Sequence, residues 1–161
     1  MRRIQVRRAG AGDAEAIAGI HVTAWQQTYA HLLSAEKLAP LDPANRVERW
    51  RSTITGADEK AWIAELDGEP VGWATSSVRN AETEPRGLEV NGIYVLSSAY
   101  GSGAGQDLLD AAIGEAGAYL WVAAENPRAQ AFYRRNGFAP DGATRLYELL
   151  GTPVPIVRWV R

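Results

Sequence analysis

Three glycines fall within five residues at Gly101-Ser102-Gly103-Ala104-Gly105. Glycine adopts backbone conformations closed to other residues and lets a ligand approach the main chain. The loop lies between an apolar stretch holding Val90, Ile93, Tyr94 and Val95 and a segment carrying Leu108 and Leu109. The first reads as a strand, the second as a helix. A glycine loop that opens a helix offers unpaired N–H groups and the positive end of the helix dipole, and both suit phosphate. Two common phosphate loops fail on residues. A P-loop needs Lys and then Ser or Thr after its last glycine, where this chain has Gln106-Asp107. The dinucleotide fingerprint needs a glycine at position 106 or 108, which hold Gln and Leu. A glycine loop that only turns a corner is the plainer alternative, but a corner needs fewer glycines.

The elements around this loop follow from pattern and punctuation. Ile4 to Arg8 reads as a strand. Asp13 is placed to cap a helix running to about Tyr29, with Ile17, Ala18 and His21 at helical spacing. Ser34 can cap a short second helix, and Pro43 can open a third through about Ser52. Lys60 to Leu66 and Pro70 to Val78 form a hairpin across Asp67-Gly68. Asn80 to Arg86 is a polar loop, and the central strand begins near Leu88. The helix after Gly103 should turn Leu108, Leu109, Ala112, Ile113 and Ala116 toward the sheet and end at Gly117. Tyr119 to Ala123 is a buried strand. Asn126 is a good N-cap, Pro127 suits the first helical position, and Gly137 suits the left-handed stop. Two strands close the chain, near Thr144 to Leu150 and Pro155 to Val160. This order predicts an α/β fold with a mixed sheet.

Two motifs give the chain a family resemblance. Tyr100-Gly101-Ser102-Gly103-Ala104-Gly105 resembles the Q/R-x-x-G-x-G/A motif with which the GNAT superfamily of N-acetyltransferases cradles the pyrophosphate of acetyl-coenzyme A. Tyr100 stands where that family has Gln or Arg, so backbone amides rather than a side chain must do the holding. The second motif, N-x-x-A-x-x-F-Y-x-x-x-G-F, is met by Asn126, Ala129, Phe132, Tyr133, Gly137 and Phe138. The resemblance implies one GNAT domain over residues 1–161. It implies a mostly antiparallel, twisted sheet of about seven strands flanked by about four helices. The cofactor it implies is acetyl-CoA, held by Tyr94, Val95, residues 100–105, Asn126 and Tyr133.

The implied chemistry is acetyl transfer from a thioester to a primary amine. An amine of pKa near ~10 is mostly protonated at neutral pH. The site must remove a proton, stabilise an oxyanion and protonate the leaving thiolate. By resemblance Tyr133 is the general acid, the Val95 N–H polarises the thioester carbonyl and Asn126 bonds the pantetheine arm. Glu89 is the candidate base, with Glu82 and Glu84 as rivals. A core tyrosine, a helix cap and a solvated strand end are the plainer roles of Tyr133, Asn126 and Glu89. Trp25 and Tyr29 lie four apart on one helix face and are candidates for the acceptor pocket, with core packing as their alternative. Arg134 and Arg135 read as a solvated helix face.

Composition narrows the field. The chain has 161 residues, a formal net charge of -2 and no cysteine. That excludes disulfides, thiolate metal sites and a cysteine nucleophile, and gives no global charge for nucleic acid. His21 and His31 lack metal-ligand spacing, so no metal is expected. The N-terminal residues have no apolar signal core and no run reaches ~20 apolar residues, so a cytoplasmic protein with no membrane partner is expected. The family resemblance implies a small-molecule or peptide amine as acceptor and a possible homodimer, as many relatives are. Two rival functions stay open: an acyl-CoA-binding sensor with a degenerate site, and a nucleotide-binding protein that uses the loop for ATP or NAD.

Overall fold

A computed structural model describes residues 2–161. The architecture is mixed α/β, with seven mostly antiparallel strands and five α-helices among the described residues. The chain forms two compact units. One runs to Ser77 and takes in Val90–Glu115; the other comprises Val78–Glu89 and Ala116–Arg161.

In the first unit β1 (Ile4–Arg8), β2 (Lys60–Leu66), β3 (Glu69–Val78) and β4 (Leu88–Val95) lie side by side in chain order. β1 pairs antiparallel with β2 (Val6 opposite Ala64), and β2 with β3 (Ile63 opposite Trp73). The β2–β3 turn is the expected one. Asp67 and Gly68 both have positive φ, 53° and 87°, as a hairpin turn that follows strand twist requires. Helices α1 (Ala14–Thr28) and α3 (Val47–Thr55) pack on each other, and α4 (Ala104–Ile113) packs on β1 and β2. Ile17, Ala18, Trp50, Ile63 and Trp73 share one core. Burying a side chain the size of Ile17 or Ile63 contributes ~1.5–3 kcal/mol, which fixes α1 against the sheet. A single turn, α2 (Ala35–Leu38), lies between α1 and α3.

In the second unit β5 (Tyr119–Ala123), β7 (Thr152–Val160) and β6 (Ala139–Leu149) lie in that order and pair antiparallel. Helix α5 (Pro127–Arg135) precedes β6. Phe138 and Trp159 are buried there. The Arg161 guanidinium bonds the carbonyls of Ala116 and Asn136 and lies over the Phe138 ring.

Several local expectations need correction. Asp13 does not cap α1. Its carboxylate accepts from the Gly10 N–H at 2.7 Å and from Arg7 at 2.8 Å, closing a 3-10 turn at Ala11–Asp13. Arg7 arrives from β1, a contact that local spacing cannot reveal; it holds the Asp13 carboxyl below the usual carboxylate range. Ser34 precedes α2 as expected but makes no side-chain cap. A 3-10 turn at Pro43–Arg46, capped by Asp42 through the Ala44 N–H, leads into α3. Helix α4 stops at Ile113 because Gly114 takes φ 55°, so Gly117 is not its stop and Ala116 is exposed. Both closing strands are longer than expected. β6 absorbs Pro140 through a register shift between Pro140 and Thr144.

Candidate active site

The glycine loop has the conformation its sequence predicts. Gly101 and Gly103 have φ 76° and 93°, and Gly103 is the left-handed residue that opens α4. A Cβ at either position would meet no atom within 4 Å. These glycines are therefore not needed to let protein atoms pack; they leave open space over the main chain. Gly72 and Gly92 contrast with them. A Cβ on Gly72 would lie 2.9 Å from the Tyr94 carbonyl oxygen, and one on Gly92 would lie 3.0 Å from the Trp73 ring. In the loop, Ser102 N–H bonds the Ala99 carbonyl, and Ala104 N–H bonds Ser102 Oγ at 3.3 Å. The N–H groups of Gly101, Gly103 and Gly105 have no hydrogen-bond acceptor among the described residues. Unpaired amides at a helix start suit a phosphate group. Tyr100 is 37% exposed beside them.

The expected aromatic pair is part of a larger assembly. Trp25 and Tyr29 meet edge-to-face at 5.7 Å. The Tyr29 hydroxyl is 2.7 Å from that of Tyr94, the residue before Val95 on β4. His21, which the sequence places on the same helix face as Ile17 and Ala18, sits among these rings. It contacts Trp25 at 4.7 Å, Trp73 at 5.4 Å and Trp50 at 5.6 Å. His21 Nδ1 accepts a hydrogen bond from Trp50 Nε1–H at 3.0 Å. Burial pushes its pKa down to about 4, helped by the positive charges of Arg46 and Arg49. At neutral pH the ring is uncharged, and its proton is on Nε2 because Nδ1 is the acceptor. His31 is exposed. The i, i+4 spacing of His21 and Trp25 was available as a signal; the approach of Trp50 from α3 was not.

In the second unit Asn126 caps α5, its Oδ1 accepting from the Ala129 N–H at 3.2 Å. Pro127 occupies the first turn and Gly137 takes φ 86°. The Gln130 side chain bonds the carbonyls of Ala123 and Ala124, tying α5 to the end of β5. Tyr133 is buried, with ring contacts to Phe132 at 5.3 Å and Phe138 at 5.8 Å. Glu89 Oε1 pairs with Arg79 Nε at 2.8 Å and accepts from the Tyr119 hydroxyl at 3.3 Å. Both contacts fall on one oxygen, and Oε2 has no partner among the described residues. Burial, then the nearby carboxylates of Glu89 and Glu84, push the Tyr119 hydroxyl up to about 12, so it stays a donor. Sequence reading missed both Arg79 and Tyr119 as partners of Glu89. Glu82 is exposed and Glu84 half-buried. No group of three or more His, Asp or Glu residues that could hold a metal ion occurs among the described residues. No helix among them is long and apolar enough to cross a membrane.

Comparison with known proteins agrees with this geometry. Residues 22–138 match the model of the acetyltransferase (GNAT) family. A probable N-acetyltransferase of Mycobacterium tuberculosis is 29% identical over 160 residues, covering 96% of this chain and 91% of the relative. Among solved structures, a GCN5-related N-acetyltransferase from Rhodopseudomonas palustris superposes with a TM-score of 0.73. The match has 21% identity and covers 98% of this chain and 94% of that one. The PaiA N-acetyltransferase of Thermoplasma acidophilum, solved in complex with coenzyme A, has a TM-score of 0.65 and 16% identity, covering 97% and 98% of the two chains. With the glycine loop and the Asn126–Phe138 helix formed as their motifs require, the chain belongs to the acetyltransferase (GNAT) family.

Proposed function

We propose that the protein transfers the acetyl group of acetyl-coenzyme A directly to a primary amine, with both substrates bound together. The observation that carries this reading is the loop at residues 101–105. Three amides there lack an acceptor at the start of a helix, and open space lies over two left-handed glycines. Such a receptor suits a pyrophosphate. The cradle consists of the amides of Gly101, Gly103 and Gly105 together with Ser102 and Ala104, and Tyr100 flanks it. Asn126 still has its amide NH₂ for the pantetheine arm, because capping uses only its oxygen. Acetyl-coenzyme A supplies the acetyl group as a thioester.

The remaining roles belong to the chain. Val95, next to Tyr94, presents an N–H to the carbonyl oxygen, where negative charge develops. Glu89 takes the amine proton through water on Oε2, while Arg79 and Tyr119 hold Oε1. Tyr133 donates its phenolic proton to the departing sulfur. Trp25 and Tyr29 form part of the acceptor wall. Once Glu89 has relayed away the ammonium proton, the neutral amine attacks, the C–N bond forms and the C–S bond breaks; nitrogen gives its second proton to solvent, sulfur takes one from Tyr133, and Tyr133 regains its proton from solvent.

The test is thiol release from acetyl-coenzyme A across a panel of amines. Loss of a general acid costs roughly 10²-fold in rate, so Tyr133→Phe should lower kcat by about that much. Its affinity for coenzyme A should change far less than its rate. A rate within twofold of the parent removes Tyr133 from the role. Binding of coenzyme A with no turnover of any amine favours the sensor reading instead.

A further inference from the structure

Trp25 lies between Tyr29, His21 and the Arg46 guanidinium. Arg46 places its guanidinium carbon 5.3 Å from the Trp25 ring centroid and has no ion pair among the described residues. Neither acid beside it in the chain pairs with it: Asp42 accepts from the Ala44 N–H, and Glu48 pairs with Arg51. Trp25 Nε1 is buried and has no hydrogen-bond acceptor among the described residues. His21, 4.7 Å from Trp25, uses Nδ1 as an acceptor, so its proton is on Nε2. A guanidinium on an aromatic face, with no ion pair of its own among the described residues, is complementary to a carboxylate.

We propose that Arg46, on the face of Trp25, receives a carboxylate of the acceptor, so that the amine acetylated here belongs to a small aminocarboxylic acid and not to a polyamine. This rests on the transferase reading above. An aromatic wall supports it. From the Arg46 guanidinium the steps are 5.3 Å to Trp25, 5.7 Å on to Tyr29 and 6.4 Å on to Tyr94, whose neighbour Val95 faces the reacting carbonyl in the proposed mechanism. The carboxylate would sit at one end of this wall and the amine nearer the other. Arg49 follows Arg46 by three residues and adds positive charge felt at His21. A polycation would meet repulsion from both arginines.

The experiment uses the intact chain with saturating acetyl-coenzyme A. The acceptors are the common L-amino acids, the carboxamide of each, and spermidine, followed by thiol release. Calorimetry with coenzyme A in place of the acetyl form reads binding of the same compounds without turnover. The expected result is an amino acid whose kcat/KM exceeds that of its carboxamide by ~10-fold or more, the scale of one charge-assisted hydrogen bond. Arg46→Gln should raise KM for that acid by a similar factor, more than it changes kcat, and should leave KM for the carboxamide in place. Arg46→Lys should recover part of the loss. If Arg46→Gln does not fold, the acid-against-carboxamide comparison on the parent protein decides. Equal use of acids and carboxamides, preference for spermidine, or no binding of any amino acid overturns the proposal. Turnover of spermidine alone would do so while leaving acetyl transfer intact; failure of the transferase reading shows instead as no thiol release from any amine.

Discussion

The glycine loop and the aromatic cluster belong to one unit of the chain, yet they are built from opposite materials. The loop, proposed here as the coenzyme A cradle, would be a main-chain receptor. Its ligands are amides, its shape comes from left-handed Gly101 and Gly103, and its side chains are small. The cluster, proposed here as the acceptor wall, would be a side-chain receptor. His21, Trp25, Tyr29, Trp50, Trp73 and Tyr94 come from α1, α3, β3 and β4, and hydrogen bonds at 2.7 Å and 3.0 Å lock them together. A backbone receptor recognises a group by charge and shape whatever the neighbouring side chains, which suits a cofactor common to a family. A side-chain receptor can be rebuilt residue by residue, which suits an acceptor that differs between relatives.

That division can be broken most sharply in the loop. Gly103→Val places a branched side chain at φ 93°, a conformation that costs such residues ~1–3 kcal/mol, and fills the space over the amides. Affinity for coenzyme A should fall ~10²-fold or more by calorimetry, the scale of losing two charge-assisted hydrogen bonds. KM for the amine should stay close to the parent value. Equal loss of both would show that loop and cluster do not act separately.

The cluster should carry a pH signature that the loop lacks. The folded chain holds the His21 pKa near 4, against about 6.5 when unfolded. Between those values the unfolded chain takes up a proton that the folded chain refuses, so stability falls as pH falls. The loss begins below pH 6.5 and is complete near pH 4; it can reach ~3 kcal/mol from this group. Denaturant unfolding across this range should show that slope in the parent, and His21→Leu should flatten it. A parallel slope in the variant would rule out His21 as its source.

A smaller effect separates the cluster's hydroxyl pair from its packing. Tyr29→Phe keeps the ring and removes one partner of the 2.7 Å bond to Tyr94. A net hydrogen bond contributes ~0.5–1.5 kcal/mol. The variant should therefore lose about that much stability and change acceptor KM by ~10-fold at most, while coenzyme A affinity holds. A change in coenzyme A affinity of the same size would blur the division.

What could be read from the chain before its structure follows the same line. Asn126, Pro127 and Gly137 mark the ends of α5 through the conformation each residue prefers locally, and all three act as expected. Gly101, Gly103, Asp67 and Gly68 likewise carry their backbone angles in their identities. The failures lie where a distant residue intervenes. Asp13 looks like a cap until Arg7 from β1 takes its carboxylate. Glu89 looks like an unattended carboxylate until Arg79 and Tyr119 engage it. Arg46 and Trp25 are 21 positions apart and meet only because the turn before α3 returns to α1. Gly114 ended α4 where Gly117 was expected to, since two glycines three residues apart offer the same local signal.

The most direct test of the account is thermal unfolding with acetyl-coenzyme A, coenzyme A, ATP and NAD side by side. A ligand at ~100 times its Kd stabilises the folded state by ~2.7 kcal/mol, which for a chain of this size raises Tm by several degrees. The account predicts that rise with both coenzyme A forms and none with ATP or NAD. A rise with ATP or NAD alone, or no rise with saturating coenzyme A, would contradict the reading of residues 101–105 as the cradle for coenzyme A.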